Sequence, residues 1–589
     1  MLRTLSAAGV GAAIAACASA PVVLNEFGNP PKHAPVPTTA AINAEDLRTR
    51  LYIFADDSMQ GRQYGRAGNM KGTEYIAREL QRMGVQPAGD NGTYFQEMPV
   101  VQRRFAATSA LSAGGRALRW IDDWIATPGP KPRDINGATV VFGGTMGDTS
   151  NMISEAEANG KLVVMLPPAA GGGRGGRGGG AGGGGAGGGR GGFGGVNAAA
   201  QRLAGAVGVA TVNLDDTDRA ARAFVNDDPP GVLVAPAKDR FPNPTEAQLA
   251  ADRAGPPPAQ IRLTRAGAEM LLGAKLDGLR PGATGGTVAG HLDYVETPVG
   301  RYARNVVGII RGSDPALAQT YVALGAHPDH VGYTRNPVDH DSLKLVLAAR
   351  QAIQMKGGDL HAATPEELAA IRINLDSVRK LRPPRPDSIR NGADDDGSGS
   401  MALLEIAEAV SAMKVKPKRS LLFVWNNGEE AGLLGSAWYT MHPTVPRDSI
   451  VAQINIDMIG RGRTEDIPGG GDDYLAVVGS NRLSSELGKE VVKVNLRQPA
   501  PFRLDYRFDT TTTWPGYNNI YGRSDHANYA RFNIPIAFFF TGLHADYHQS
   551  TDEPQYIDYP HYARITQYIA DLVVDLANRE KRPALDQRP

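Results

Sequence analysis

The sequence predicts a mixed α/β protein, a β-sheet flanked by helices, because apolar runs of strand length give out just before residues with chemistry of their own. Tyr321-Val-Ala-Leu-Gly-Ala leads into His327, Leu421-Leu-Phe-Val-Trp towards Glu429 and Glu430, and Val451 to Ile456 into Asp457. Amphipathic stretches such as Met401-Ala-Leu-Leu-Glu-Ile-Ala-Glu-Ala-Val lie between them with helical spacing. In open α/β sheets ligands bind in the crevice beyond the carboxyl ends of strands, so residues far apart in sequence can converge there.

With 589 residues, 42% hydrophobic content and a formal net charge of zero, the chain can bury a substantial core in more than one domain. Its charge balance offers no electrostatic case for binding nucleic acid. Arg3 followed by the small, apolar stretch Leu5 to Ala16 has the form of a secretory signal over residues 1–20. Cys17, the single cysteine, follows Ile14-Ala15-Ala16 in the manner of a bacterial lipoprotein box. It cannot form an internal disulfide, which makes it a lipidation candidate. The plainer alternative is a signal cut after Ala18 or Ala20, with Cys17 discarded. Either reading sends the mature protein across an inner membrane, into the periplasm or onto a membrane facing it. Attachment would be by N-terminal lipid only, since no later stretch has the length and apolarity of a span.

Residues 21–42 read as a proline-rich linker holding the globular part off its anchor. The first helical pattern begins at Ala44-Glu45-Asp46-Leu47, and residues 43–129 are expected to form the N-terminal part of the main domain. Residues 130–258 differ in kind. There the β-like runs Ala138 to Gly143, Lys161 to Leu166 and Ala206 to Asn213 alternate with candidate helices at Ile153 to Asn159 and Asn197 to Leu203, as in a small inserted domain. The tract Gly171 to Gly195, with Arg174, Arg177, Arg190 and Phe193, superficially resembles an RGG segment. Glycine at that density loses too much entropy to be ordered by so few larger side chains, so a flexible loop with no nucleic-acid partner is expected. Residues 259–580 hold the strand-end clusters, interrupted by a segment at 333–390 with helical stretches Ser342 to Lys356 and Thr364 to Leu381. That segment is placed to wall a cleft or to make a subunit contact.

Five groups in this last region carry ligand chemistry: His327 in GAHPDH, Asp395 in NGADDDGSG, Glu429 and Glu430 in NNGEEAG, Asp457 in NIDMIG, and His548 in DYHQSTDE. Nitrogen and carboxylate oxygen without cysteine is a set that suits zinc or a similar divalent ion. Singly, each has an ordinary reading. Asp394 to Asp396 would be an exposed acidic turn ahead of a helix, the better reading for Asp394 and Asp396, with Asp396 as a cap. Glu429 and Glu430 would start a solvated helix, Asp457 would turn the chain after a strand, and His548 would be a surface histidine. Their conjunction favours a metal site.

The set resembles the M28 zinc peptidases, a family of two-zinc aminopeptidases that also holds single-zinc glutaminyl cyclases and some carboxypeptidases. The similarity runs from about Asn305 to Ala577, and extends weakly over Leu51 to Val100, where FADDSMQGRQYG, the Glu74-Tyr-Ile-Ala-Arg-Glu-Leu helix and PAGDNGTYFQ resemble the family's opening segment. The resemblance implies a three-layer mixed sheet of the zinc exopeptidase type, two zinc ions with manganese or cobalt as alternatives, and peptide substrates. By motif, His327 and Asp457 would hold one ion, Glu430 and His548 the other, and Asp395 would bridge. Glu429 would be the general base. Asp329 would accept a hydrogen bond from the His327 ring and fix its tautomer. Tyr547 to Asp552 resembles the family's YHTPxD ending, which favours His548 over His544 as ligand. Ser524-Asp525-His526 resembles an SDH element that would shape the substrate pocket or support the metal shell; for Asp525, His526 and His330 a satisfied structural role is the alternative. The 130–258 insert resembles a protease-associated (PA) domain. The activity implied is that of an extracytoplasmic metal-dependent exopeptidase, foremost an aminopeptidase. The alternatives are a carboxypeptidase or glutaminyl cyclase on the same scaffold, and a non-catalytic binding module.

Overall fold

The computed structural model describes residues 33–587, apart from 107, 128–131, 147, 149, 168–201, 216, 218, 220–221, 223–230, 234–257, 510–513, 515 and 518. The expected signal region with Cys17, and the glycine-rich tract 171–195, lie outside the described residues.

The main sheet is built around four parallel strands in the spatial order Ser420–Trp425, Tyr321–Ala326, Ile450–Ile456, Ile536–Phe540. Antiparallel strands flank them, Arg304–Ile310 on one side and Tyr474–Val478 on the other. The four central strands are buried throughout and read as near-continuous apolar runs, as parallel strands covered on both faces should. Alternation along Ser420–Trp425 serves two cores. Leu421, Phe423 and Trp425 face a layer that includes helices Ala44–Phe54, Gly399–Ala412 and Tyr559–Asn578, while Leu422 and Val424 face Tyr439 and Tyr529 on the opposite side. The result is helix, sheet, helix, the three-layer architecture expected. Because the four strands are parallel, their carboxyl ends lie along one edge of the sheet, and the loops after them carry His327, Glu429 with Glu430, Asp457 and His548 to that edge.

A second sheet holds the strands Arg116–Ala117, Ala110–Ala113, Thr284–Leu292, Ala138–Thr145, Leu162–Leu166, Gly208–Val212, Ala259–Leu263 and Trp124–Thr127, in that order. Its core includes Trp124, Val140, Phe142, Val164, Ile261 and Leu263. The chain enters and leaves this body through one antiparallel ribbon, Val100–Phe105 against Tyr294–Pro298. The body is therefore wider than the 130–258 expected from sequence, taking in the strands at 110–127 from the expected N-terminal part, 43–129, and residues 259–292 from the region expected at 259–580. Those strands carry little signal in the sequence for a physical reason. Ala110–Ala113 is only four residues long, and Thr284–Leu292 opens on Thr-Gly-Gly-Thr, which reads as a loop.

Two other expectations change. The described part of the linker is not a spacer but is tied to the globular body: Thr39 donates to the Asp46 carboxylate at 2.8 Å from both its amide and its hydroxyl, and Thr38 donates to Glu408 at 2.7 Å. Between 333 and 390, helix His340–Gln354 matches expectation, but the second helical stretch is two short helices, Pro365–Ala370 and Asp376–Leu381. A strand pair, Tyr333–Asp339 with Pro386–Ile389, closes the segment at its base.

Thr38 belongs to a buried polar cluster that joins the N-terminus to helix Gly399–Ala412. Arg50, fully buried, donates to Glu405 at 2.9 Å, to Glu79 at 3.1 Å and to Glu408. Removing one partner of such a cluster strands the other charges in a low-dielectric interior. The substitution Arg50→Ala is expected to cost about 3–5 kcal/mol, read as a lowered urea midpoint of the body built on the main sheet.

Candidate metal centre

At the carboxyl edge of the main sheet, ligand-type atoms converge in two adjoining groups that share Asp395. In the first, His327 Nε2 lies 3.3 Å from Asp395 Oδ1, 3.6 Å from Asp457 Oδ1 and 4.0 Å from Glu429 Oε2. In the second, His548 Nε2 lies 3.1 Å from Asp395 Oδ2 and 3.0 Å from Glu430 Oε1. The five residues put forward as ligands from sequence, and the glutamate put forward as base, are thus brought together. Asp395 turns one oxygen to each group, the arrangement a bridging carboxylate needs.

The second of these groups fits a divalent ion on its chemistry. The Asp395 Oδ2, Glu430 Oε1 and His548 Nε2 atoms are buried and have no hydrogen-bond partner among the described residues. Buried polar atoms are almost always satisfied, so orphans aimed at one another mark the place of a cation. Electrostatics agree. Burial alone would pull His548 down, yet the Glu430 and Asp395 carboxylates push it up to about 10. Burial would raise Glu430, but His548 and its neighbours hold it down to about 2. His327 is likewise raised well above the usual histidine range by Asp457, Glu429 and Asp395, against the pull of burial. Glu429 goes the other way: burial raises its carboxyl well above the usual range, and Glu430 and Asp457 reinforce the rise against His327.

The neighbours of these atoms are fixed by hydrogen bonds that the sequence did not disclose. Asp394, Asp395 and Asp396 are all buried, so the exposed acidic turn expected for Asp394 and Asp396 is not formed. Instead Asp396 accepts from the amides of His327 at 2.9 Å, Gly399 at 2.8 Å and Met458 at 3.2 Å, tying two strand-end loops to the start of helix Gly399–Ala412. Asp394 accepts from the Gly460 amide at 2.7 Å and from the Ser398 hydroxyl at 2.8 Å. Asp552 accepts from the amides of Asp394 and Asp395. Arg62, wholly buried, donates to four main-chain carbonyls, those of Phe54, Pro328, Asn391 and Gly392, and so clamps the segments that carry His327 and Asp395. In the sequence it is distinguished only by its place in FADDSMQGRQYG.

Asp329 departs from its expected part. The His327 ring contacts the main-chain carbonyl of Asp329 at 3.1 Å, whereas the Asp329 carboxylate is 3.8 Å away. That carboxylate accepts instead from the amides of Gly428 at 2.8 Å, Glu429 at 3.1 Å and Glu430 at 3.2 Å. Three main-chain donors outcompete one ring nitrogen, and the residue holds the turn that presents both glutamates.

Of the Ser524-Asp525-His526 element, the serine touches the centre: its hydroxyl donates to Asp457 Oδ2 at 2.7 Å and accepts from Asn455 at 2.9 Å. Asp525 is buried and pushed by burial up to about 8. His526 stacks on Phe538 with ring centroids 4.6 Å apart, and burial lowers it to about 3, which keeps it neutral. His544 sits 3.2 Å from Asp394 Oδ2 rather than with the Asp395 and Glu430 oxygens. His548 itself has φ +59, a left-handed conformation that side chains adopt at a cost of about 1–3 kcal/mol when surrounding structure demands it.

A cleft opens beside the first group. Its wall includes His327, Asp395, Glu429 and Asp457, and continues into Met458, Ile520, Phe538, Phe540, Leu543 and Tyr547, with Arg523 and Ser524. Polar convergence beside an apolar recess is the usual form of a small-molecule site.

Comparison with known proteins adds the following. Residues 305–573 match the model of peptidase family M28. Leupeptin-inactivating enzyme 1 of Streptomyces exfoliatus is 31% identical over 172 residues, 29% of this chain and 33% of that protein. Leucine aminopeptidase 1 of Paracoccidioides brasiliensis (strain Pb18) is 28% identical over 198 residues, 32% of this chain and 47% of that protein. The chain thus spans about a third to a half of the length of these curated relatives. Among solved structures, BSAP, a zinc aminopeptidase from Bacillus subtilis, aligns over 94% of this chain and 99% of its own with 15% identity and a TM-score of 0.47.

The substitution Asp329→Ala removes the acceptor for three amides of the glutamate turn. Zinc affinity of the chelator-stripped protein is expected to fall by about 10–100-fold, the scale of lost indirect metal partners, measured by isothermal titration.

Proposed function

We infer, from the premise that residues 305–573 belong to peptidase family M28, that the protein is a zinc-dependent exopeptidase, foremost an aminopeptidase with two ions. The observation that carries this reading is the pair of ligand groups sharing Asp395, with the unshared carboxylate of Glu429 beside them. When bound, a zinc pair supplies a water of pKa near about 7 and polarises the scissile carbonyl.

The remaining work falls to the chain's own residues. His327 with Asp457 would hold one ion and Glu430 with His548 the other, and Asp395 would be shared between them. Glu429, held by its amide on Asp329, faces the cleft and accepts the proton of the attacking water. Its burial and acidic neighbours, which favour the protonated form, then suit it to hand that proton to the leaving amine. The carboxylates of the cleft wall, Asp395, Glu429 and Asp457, attract a free α-amino group. The recess of Met458, Ile520, Phe538, Phe540 and Leu543 favours an apolar side chain on the first residue, in keeping with the leucine aminopeptidase name of one relative.

Secretion, the lipid anchor at Cys17, and a PA-like identity for the second sheet belong to the same proposal, the last resting on the parallel run Ala138–Thr145, Leu162–Leu166, Gly208–Val212. Among the described residues no helix is long and apolar enough to cross a membrane. A carboxypeptidase is the second reading, and one observation favours it: the Arg523 guanidinium belongs to a residue of the cleft wall and could hold a terminal carboxylate.

Three measurements test the proposal. A mixed peptide pool should lose single N-terminal residues, apolar ones fastest, with loss abolished by chelation and restored by zinc; C-terminal trimming would transfer the assignment to the second reading. N-acetylated peptides should resist cleavage. The substitution Glu429→Gln should keep the metal content measured by plasma emission while lowering kcat by about 10²–10⁴-fold, and a fully metallated variant with unchanged kcat would remove Glu429 as the base.

A further inference from the structure

One buried histidine has no place in the ligand set above. His330 follows His327 by three residues, is 1% exposed, and neither of its ring nitrogens has a hydrogen-bond partner among the described residues. Leaving such atoms unpaired costs about 1–3 kcal/mol, which argues against a purely structural histidine. Nδ1 lies 3.1 Å from Glu430 Oε1 and 3.6 Å from Asp395 Oδ2, the same two oxygens that His548 Nε2 approaches at 3.0 and 3.1 Å. All four of these atoms are buried and without hydrogen bonds.

Their spacing is informative. Tetrahedral zinc with bonds of about 2.0–2.1 Å places its ligand atoms about 3.3–3.4 Å apart. Four of the six separations of such a tetrahedron, the nitrogen-to-oxygen ones, are 3.0, 3.1, 3.1 and 3.6 Å and bracket that value. His330 is also held where it is. Its amide donates to the Arg62 carbonyl at 3.1 Å, and its ring lies against Gly392, where a Cβ would come within 2.5 Å of Cγ. Gly392 has φ +55 and is the turn that begins the Asp394 to Asp396 run, so the histidine and the bridging carboxylate are set by one piece of backbone.

We propose that His330 is a metal ligand, so that the second ion is held by four protein groups, Asp395, Glu430, His330 and His548, while the first has three, His327, Asp395 and Asp457. The proposal rests on the two-ion reading above and deepens it. Four protein ligands make a closed site and three leave a position open. The two ions then differ in kind. The second is an anchored, poorly exchanging ion, and the open coordination position belongs to the first, beside Glu429 and the cleft.

The test uses the whole protein stripped with chelator and titrated with cobalt(II). Proton NMR of the cobalt form reports each ligating imidazole as a paramagnetically shifted, exchangeable N–H signal. Three such signals are expected, from His327, His330 and His548, with one lost in His330→Gln. Zinc titration calorimetry should show two unequal steps, the tighter weakened by at least about tenfold in the variant, as for any lost partner of a metal. Two ions with only two imidazole signals in the unsubstituted protein would overturn the assignment of His330 and leave the two-ion reading standing. Uptake of no ion, or of one, would overturn both. Because the decisive count is made on the unsubstituted protein, misfolding of the variant cannot obscure it.

Discussion

The constraint on which this structure turns is the burial of many carboxylates in one small volume. Asp329, Asp394, Asp395, Asp396, Asp525 and Asp552 are all under 4% exposed, and Glu429, Glu430 and Asp457 adjoin them. Isolated, each ionised group would cost several kcal/mol to bury. The fold meets that cost in two ways. Some carboxylates are spent on main-chain amides: Asp396 on three, Asp329 on three, Asp552 on two. Three of the others, Asp395, Glu430 and Asp457, face histidine nitrogens across distances that suit a shared cation. Acids of the first kind build the loops, and those of the second kind are left available for chemistry.

This division explains how the centre is held together although its residues sit on loops. Each strand of the parallel quartet ends in a turn that would be free to move. Asp396 joins the turns after Tyr321–Ala326 and Ile450–Ile456 to the start of helix Gly399–Ala412, and Asp329 fastens the turn after Ser420–Trp425 to the His327 loop. Arg62 closes the other side through carbonyls, which lets one buried cation stabilise the negative surroundings without competing for a ligand oxygen. Burial lowers it only to about 10, and Asp552, Asp395, Asp396 and Asp329 oppose that fall, so it stays charged at neutral pH.

The sequence made the central strands and the ligand types legible because both are local signals: an apolar run of five to seven residues, then a histidine or an acid. It could not show which acid serves which purpose. Asp394, Asp395 and Asp396 are identical in type and consecutive, and only the direction of each side chain separates an amide acceptor from a bridge. Asp329 was misassigned for the same reason, since spacing brings it near His327 but not to the three amides about a hundred residues away. The edges of the second sheet were hidden because short or glycine-containing strands carry little periodic signal, and they are held by pairing with partners such as Ala138–Thr145 rather than by their own propensity.

The segment at 333–390 gains its meaning from the same electrostatic arrangement. Lys344 on its long helix pairs with Asp546, which also takes Arg461 at 3.1 Å and the Thr551 hydroxyl at 2.7 Å. Gln351 of that helix donates to the Asp466 carbonyl, and Asp466 in turn pairs with Arg461 at 2.7 Å. Asp546 is two residues before His548, whose backbone is held at φ +59. A left-handed histidine persists only if its loop is pinned on both sides, and Lys344 with Arg461 pins one side while Asp552, on the amides of Asp394 and Asp395, pins the other. The inserted helix is thus part of what fixes His548 beside Glu430, which ties a segment far from the sheet core to the geometry of the centre.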